Sequence, residues 1–153
     1  MNALELKVPP PVVTVIIALA MRATALALPV FTLDLPGHKA AGLALAALGL
    51  LLEVAAVITI LWARTSVNPM RPRSTSRLVS SGVYRYSRNP IYLGDLIVLV
   101  AWAIYLSSPV TLVLTPLFVL YLNRFQIAPE ERILSAIFGA DYAAYQARVR
   151  RWL

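Results

Sequence analysis

The chain has 153 residues, about one domain's worth, with no cysteine and one histidine, His38. The absence of cysteine excludes disulfides, thiol catalysis and thiolate metal sites, and a lone histidine argues against a histidine metal site or general base. Hydrophobic residues make up 59% of the chain, above the ~45–50% of soluble domains, and the mean hydropathy is +0.73. These residues come in runs of about twenty, the length that crosses a ~30 Å hydrocarbon core. The composition therefore predicts an all-α, polytopic membrane protein that forms a single domain.

The net charge of +7 comes from basic residues that flank the apolar runs. This placement is typical of the positive-inside rule and of contacts with anionic lipid headgroups. A membrane chain needs no nucleic-acid partner to explain such arginines. Membrane lipids are therefore the predicted partners, and nucleic acid is not.

The first two predicted spans cover residues 12–31 and 40–63, and each contains one charged residue well inside it, Arg22 and Glu53. A charged side chain inside a membrane helix is costly. Arg22 is therefore expected either to snorkel to the interface or to pair with Glu53. Such a pair is also the one feature that would suit a small transporter.

Small residues recur along one face of the second predicted span, at Gly42, Ala46 and Gly49. Small side chains let a second helix approach closely in a membrane. This spacing predicts a helix-packing face and makes a homodimer one use of it.

A basic loop at 64–89 follows the second span. It holds six arginines and no acidic residue: Arg64, Arg71, Arg73, Arg77, Arg85 and Arg88. A third span is predicted over 90–106, because Pro90 suits a first helical turn. A fourth is predicted over 110–125, with Pro116 as a kink.

The polar tail at 128–153 is predicted to form a helical flap. Pro129 followed by Glu130 and Glu131 is typical of a helix start. Gly139 is expected to end this first helix.

Four spans would put both termini, the loop and the tail on one side of the membrane. Eleven of the twelve arginines lie outside the first span, on that side. The positive-inside rule makes this side cytoplasmic, and the Ala- and Leu-rich spans favour a bacterial inner membrane. Any functional site is therefore expected where the loop meets the tail.

The Glu130-Glu131 pair allows two interpretations. One is an interfacial ion-pair cluster of Glu130 or Glu131 with Arg88 or Arg124. The other is that these carboxylates hold the amino or hydroxyl groups of a cationic, amphiphilic ligand enclosed by the loop and the tail.

Two motifs make the second interpretation specific. The first is Gly82-x-Tyr84, followed by Arg88-Asn89-Pro90-x-Tyr92-x-Gly94. The second is Glu130-Glu131-x-x-Leu134, followed by Phe138-Gly139-x-x-Tyr142-x-x-Tyr145. In type and order they resemble the isoprenylcysteine carboxyl methyltransferase and phospholipid methyltransferase family, over roughly residues 76–153.

The resemblance implies a small integral membrane enzyme that uses S-adenosyl-L-methionine, with no metal. It places the cofactor against residues of the loop, the third span and the tail: Ser76, Leu78, Val79, Tyr84, Asn89, Pro90, Ile91, Tyr92, Glu130 and Glu131. It also makes Asn89 and Gln126 the catalytic candidates, and Arg88 and Gln126 the substrate-side candidates.

Two positions depart from the family pattern. Asn89 stands where the family commonly has histidine, and asparagine can hydrogen-bond but does not titrate near neutral pH. Gln126 stands four residues before Glu130, where carboxyl-methylating members carry the arginine that grips the substrate carboxylate. The loss of that cation favours an amine, a thiol or a phospholipid headgroup as the acceptor.

The predicted function is S-adenosylmethionine-dependent methyl transfer to a lipophilic, membrane-embedded acceptor, either a phospholipid amine or a prenylcysteine-like carboxylate. Two alternatives remain open. One is methylation of a small thiol. The other is a non-catalytic membrane assembly module whose cofactor site has decayed.

Overall fold

The computed structural model describes residues 5–33, 35–65, 72 and 75–153. The described residues form helices and no strand. The α-helices are α1 (Pro10–Ala27), α2 (His38–Trp62), α3 (Pro90–Tyr105), α4 (Thr115–Leu122) and α5 (Ala128–Arg148). Single 3₁₀ turns lie at Pro29–Phe31, Gly82–Arg85 and Pro109–Leu114, and a π-helix covers Asn123–Ile127. The predicted Arg71 and Arg73 of the basic loop lie outside the described residues.

The predicted all-α membrane fold is confirmed. Within the described residues, three helical runs are long and apolar enough to cross a membrane: Pro10–Ala27, His38–Trp62 and Pro109–Arg148. The third predicted span, α3, is an apolar helix of 16 residues. At 1.5 Å per residue it covers about 24 Å, less than a ~30 Å hydrocarbon core. The predicted number of four spans is therefore not confirmed.

The last long run is built in four pieces. A 3₁₀ turn leads into α4, the π-helix follows, and α5 completes the run. Pro116 lies in the first turn of α4, where a proline costs no hydrogen bond, directly after the 3₁₀ helix ends. The helical run therefore changes its geometry next to Pro116, and the kink itself stays a prediction. We take Ile127 as the end of the membrane-spanning part, because Glu130, Glu131 and Arg132 follow in the first turns of α5.

Gly139 interrupts α5. Its backbone has φ 50° and ψ −119°, a conformation that glycine adopts at little cost because it has no Cβ. Two helical segments therefore meet at Gly139, where the sequence predicted a helix end. The segment before it carries the acidic pair, and the segment after it carries Tyr142 and Tyr145.

Helices α2 and α3 pack at very close range along the predicted small-residue face. A Cβ built on Gly42 would lie 2.9 Å from the carbonyl oxygen of Ala101, and one on Gly49 would lie 2.9 Å from that of Gly94. Glycine is needed here because any side chain would force the two backbones apart. The face is thus covered by α3 of the same chain, so it is not free for a homodimer.

The charged residues of the first two spans do not meet. The Arg22 side chain is exposed on α1, and none of the ion pairs between described residues joins it to Glu53. Glu53 packs instead against Gly94 of α3. The predicted pairing is therefore wrong, and the exposed position of Arg22 fits the alternative that it snorkels.

The main apolar core joins α1, α3 and α4. Its fully buried members include Met21, Leu99, Phe118, Leu122 and Ile127. Large apolar side chains on the outer faces of α1 and α2 are exposed, such as Leu19 and Leu51. An apolar exterior of this kind suits lipid. The core fixes α3 against α4, and so it sets where the site residues at their ends lie.

Candidate functional site

A cavity of about 310 Å³ opens where the basic loop, the start of α3 and α5 come together. This volume lies at the small end of the ~300–1,000 Å³ of small-molecule sites. Its apolar wall includes Pro10, Val57, Ile60, Ile91 and Leu134. The polar wall is formed by Thr65, Thr75, Arg77, Tyr84, Arg88, Asn89, Tyr92, Glu130, Glu131, Tyr142 and Tyr145. The expected meeting of loop and tail is therefore present.

Glu130 is the polar centre of this cavity. Tyr92 donates its hydroxyl to Glu130 Oε1 over 2.7 Å, and the side-chain amide of Gln126 donates to the same oxygen. Pro90 lies at the start of α3 and Pro129 at the start of α5, and the bond between Tyr92 and Glu130 joins these two helix starts. The three side chains thus form one hydrogen-bonded group from α3, the π-helix and α5.

The two adjacent glutamates differ in their charge partners. Glu131 accepts from Arg88 Nη2 at 2.9 Å and from Arg151 Nη2 at 2.6 Å. None of the ion pairs between described residues involves Glu130, and its donors among these residues, Tyr92 and Gln126, are neutral. Glu131 is therefore neutralised by two arginines, whereas Glu130 has no cationic partner among the described residues.

The surroundings of Glu130 alter its protonation. Burial raises the pKa of Glu130 to about 7, against the opposing effect of the hydrogen bonds from Tyr92 and Gln126. Removal of a carboxylate from water disfavours its charged form. A cationic ligand beside Glu130 would lower this pKa again, because it stabilises the carboxylate.

Three tyrosines, Tyr84, Tyr142 and Tyr145, also line the cavity. Tyr145 donates its hydroxyl to the carbonyl oxygen of Tyr84 over 2.7 Å, which ties the end of α5 to the 3₁₀ turn of the loop. Tyr142 and Tyr145 stand 6.2 Å apart between ring centroids. Burial raises the pKa of Tyr142 to about 12 and raises those of Tyr84 and Tyr145 further. All three therefore stay neutral and serve as hydrogen-bonding and packing groups.

Asn89 contacts the C-terminal residues from the wall of the cavity. Its side-chain nitrogen donates to the carbonyl oxygen of Arg151 over 2.8 Å, and the neighbouring Arg88 N–H donates to that of Arg150 over 3.0 Å. The side chain of Trp152 then donates to Asn123 in the π-helix over 3.1 Å. The chain end is thereby held across the start of α3.

Most of the residues predicted for the cofactor come together. Nine predicted site residues line the cavity: Leu78, Val79, Tyr84, Arg88, Asn89, Ile91, Tyr92, Glu130 and Glu131. Gln126 is buried and reaches the cavity through its bond to Glu130. Pro90 is buried at the helix start. Ser76 is exposed, and its backbone N–H bonds to Thr65 Oγ1 at 2.9 Å; neither Pro90 nor Ser76 lines the cavity.

The predicted ion-pair cluster is present in part. Arg88 pairs with Glu131, as the first interpretation expected. Arg124 pairs with Glu5 at 3.1 Å, and so it does not reach the acidic pair. The ion-pair cluster therefore involves Glu131 and leaves the interpretation of Glu130 open, because Glu130 lines the cavity without joining the cluster.

The sequence analysis missed the N-terminal contribution to the site. Pro10 and Pro11, at the start of α1, line the cavity, and Glu5 pairs with Arg124 and Arg132. The run of three prolines at 9–11 indicated a stiff entry, but nothing in its pattern indicated where that entry lies. Arg151 bonds Glu131, a contact that the sequence analysis did not predict either.

The comparisons with known proteins agree on one family. The model of the phospholipid methyltransferase family matches residues 38–141. Protein-S-isoprenylcysteine O-methyltransferase B of Arabidopsis thaliana is 32% identical over 108 residues, which is 71% of this chain and 55% of that protein. A probable protein-S-isoprenylcysteine O-methyltransferase of Oryza sativa subsp. indica is 33% identical over 115 residues, 73% of this chain and 59% of that protein.

A third relative is shorter. An uncharacterized protein of Haemophilus influenzae is 41% identical over 63 residues, which is 41% of this chain and all of that protein. The chain spans little more than half the length of the plant relatives. No solved structure matches the chain.

Proposed function

The chain belongs to the phospholipid methyltransferase family, and from this premise we propose that it transfers a methyl group from S-adenosyl-L-methionine to a lipophilic acceptor in the membrane. The cavity between the basic loop and α5 is the proposed cofactor site. The names of its plant relatives support a methyltransferase. Its apolar helices and the exposed apolar faces of α1 and α2 support an acceptor that lies in lipid.

One observation carries this proposal. Glu130 is a cavity-lining carboxylate with neutral hydrogen-bond donors and no cationic partner among the described residues. A buried carboxylate is unfavourable unless it is paired. A cation bound in the cavity would complete the site, and S-adenosylmethionine carries both an ammonium and a sulfonium.

The residues present fit this cofactor. When bound, it would supply a methyl group on a positively charged sulfur, which a nucleophile can take without acid catalysis. Glu130 would accept hydrogen bonds from amino or hydroxyl groups, and the apolar wall of Val57, Ile60 and Ile91 would pack against the remainder. The tyrosines would keep water away from the reacting atoms. Such a site acts mainly by positioning and by exclusion of water.

We propose a neutral amine as the acceptor, as in a phospholipid with a primary amino headgroup. Gln126, predicted to act on the substrate side, is an uncharged amide whose donor is bonded to Glu130. Arg88 and Arg151 are both paired with Glu131. A substrate carboxylate would therefore lack a free cation at this end of the cavity, whereas an amine needs none.

A prenylcysteine-like carboxylate is the second candidate acceptor. The names of the plant relatives favour it. Arg77 lines the cavity and is exposed, so it could reach a carboxylate at the outer edge. The two candidates differ in which part of the cavity binds the acceptor.

We further propose that the loop and both termini face the cytoplasm. The support is that eleven of the twelve arginines lie outside the first predicted span, in the loop and the tail region, and that segments rich in arginine beside membrane spans usually face the cytoplasm. The cofactor would then enter from the cytoplasm and the acceptor from the bilayer.

The test is transfer of a labelled methyl group in vesicles. Phosphatidylethanolamine vesicles, an S-farnesylated cysteine in phosphatidylcholine vesicles, and phosphatidylcholine vesicles alone are compared. Label in phosphatidylethanolamine supports the amine, and label only in the farnesylated cysteine supports the second candidate. A small thiol is tested as a further acceptor. Cofactor binding without label in any of these acceptors would contradict the proposed methyl transfer and favour the non-catalytic module.

A further inference from the structure

The five residues before α1 form a segment that crosses to the π-helix and α5. We call residues 5–9 the N-terminal strap. Glu5 and Leu6 are buried, whereas Lys7 is exposed. The strap leads directly into Pro10 and Pro11, which line the cavity. The strap therefore connects a wall of the cavity to the residues that Glu5 and Leu6 contact.

Glu5 is held by two arginines, Arg124 of the π-helix and Arg132 of α5. Its Oε1 accepts from Arg124 at 3.1 Å and its Oε2 accepts from Arg132 at 2.7 Å. The Glu5 side chain is 3% exposed, whereas both arginine side chains are more than half exposed. Buried carboxylates are stable only when they are paired and hydrogen-bonded. Glu5 thus joins Arg124 of the π-helix to Arg132 in the second turn of α5.

Leu6 adds a backbone bond at the same place. Its N–H donates to the carbonyl oxygen of Phe125 over 3.0 Å. In an uninterrupted α-helix that oxygen would accept from the N–H four residues later, but this residue is Pro129, which has none. Leu6 adopts φ 57° to make this bond, a conformation that is uncommon for residues other than glycine. The strap therefore supplies a donor to a carbonyl oxygen whose α-helical partner is missing.

The segment that the strap holds is the one that positions the cavity carboxylate. The π-helix carries Gln126, which bonds Glu130, and Glu130 follows Pro129 in the first turn of α5. π-Helical turns inside α-helical runs are common at functional sites because they redirect side chains. A shift of this turn would move Gln126 and Glu130 together.

We propose that Glu5 is a positioning residue for the cavity: by pairing with Arg124 and Arg132 it holds the π-helix so that Gln126 and Glu130 face the ligand. The inference rests on the proposed function only in naming the ligand, S-adenosylmethionine. Glu5 acts through the arginines and does not itself line the cavity.

The variant Glu5→Gln tests the proposal, and Lys7→Gln is its matched control. Both remove one charge from the strap, but Lys7 is exposed and forms none of the ion pairs described here. The affinity for S-adenosylmethionine is measured by calorimetry in detergent, at a temperature where circular dichroism shows each variant folded. We expect Glu5→Gln to bind about tenfold more weakly because misplaced site groups lose much of their effect, and Lys7→Gln to bind within about twofold of wild type.

A second readout reports the π-helix without any ligand. The indole of Trp152 donates to Asn123 in the π-helix, whereas the indole of Trp102 donates to Ala18 in α1. In an ¹⁵N–¹H spectrum, Glu5→Gln should move the Trp152 indole signal and leave the Trp102 signal in place. A general loss of stability would affect both indole signals and not the Trp152 signal alone.

The outcomes separate the two proposals. If wild type does not bind the cofactor, the proposed function fails, while the Trp152 signal still decides whether Glu5 holds the π-helix. If Glu5→Gln binds as wild type does and its Trp152 signal is unchanged, the inference is overturned. Should Glu5→Gln fail to fold, Arg132→Gln removes one of the two pairs and should show a smaller loss of affinity with the same selective shift; an unchanged Arg132→Gln would overturn the inference as well.

Discussion

The Tyr92 hydroxyl donates a 2.7 Å hydrogen bond to Glu130 Oε1, and this bond joins the start of α3 to the start of α5. The two residues are 38 positions apart in the sequence, and each lies in one of the two motifs. The side chain of Gln126 donates to the same oxygen. Both donors act on Oε1, so in the proposed site Oε2 is the oxygen of Glu130 that would bind the ligand.

We predict that Tyr92→Phe weakens cofactor binding because Glu130 loses one of its two neutral donors. The expected loss is about 1 kcal/mol, the usual contribution of one such bond, or about fivefold in the dissociation constant. Calorimetry in detergent measures it. The control is Tyr86→Phe, in which the removed hydroxyl belongs to an exposed side chain.

A double variant sharpens this prediction. If Tyr92 acts through Glu130, Tyr92→Phe should cost little further affinity in the Glu130→Gln background, since coupled residues are not additive. Additive losses would mean that Tyr92 acts independently of Glu130.

We predict that Glu130 makes the stability of the ligand-free protein depend on pH. Its pKa is raised from 4.5 to about 7, so the folded state keeps a proton that the unfolded state has released. The stabilising contribution is therefore complete below pH 4.5 and is lost as the pH rises through 7. The Tm should fall between pH 5 and pH 8, and it should fall less in Glu130→Gln, which shares all other titrating groups. An equal fall in both proteins would contradict the assigned pKa.

We predict that Glu131→Gln destabilises the protein more than Arg151→Gln does. Glu131 is the ion-pair partner of Arg88, whose side chain is 12% exposed, whereas that of Arg151 is 37% exposed and can turn to water. Loss of Glu131 would leave the more buried guanidinium uncompensated, at about 1–3 kcal/mol, and loss of Arg151 should cost under about 1 kcal/mol. Thermal unfolding measures both, with the exposed Arg150→Gln as control. A larger loss of stability in Arg151→Gln than in Glu131→Gln would contradict the prediction. It would show that Glu131 stabilises the protein mainly through Arg151 and not through Arg88.

We predict that Gly94→Ala destabilises the α2–α3 contact. A Cβ at residue 94 would collide with the side chain of Glu53 and lie 2.8 Å from the carbonyl oxygen of Gly49. Overpacking of this kind costs about 1–3 kcal/mol. The Tm in detergent should fall, and should fall further in Gly94→Val. Ala47→Val adds volume at an exposed position of α2 and should leave the Tm unchanged.

Much of the site could be predicted because its residues lie in two compact motifs. Tyr84, Tyr92 and Glu130 each line the cavity as expected. Hydrophobic runs of helical length also predicted the fold class, and Gly42 and Gly49 predicted the face of α2 that packs against another helix. These features depend on the residue types and spacing within short stretches of sequence, so they can be predicted without knowledge of the fold.

The remainder depends on contacts between distant segments, which a sequence pattern does not determine. Arg22 and Glu53 looked complementary, but the approach of α3 to α2 at Gly94 places Glu53 elsewhere. The pair of Glu5 with Arg132 joins residues 127 positions apart. The different partners of Glu130 and Glu131 likewise arise from the fold, because adjacent helical side chains point in different directions.

The most direct test of the central claim is calorimetric titration of the detergent-solubilised protein with S-adenosylmethionine, with wild type beside Glu130→Gln. This variant keeps an oxygen for Tyr92 and Gln126 to bond and removes only the charge. We predict saturable binding by wild type and at least about tenfold weaker binding by the variant, since a charged hydrogen bond contributes about 1.5–3 kcal/mol. Equal binding by both proteins, or none by folded wild type, would contradict the claim that Glu130 is the centre of a cofactor site.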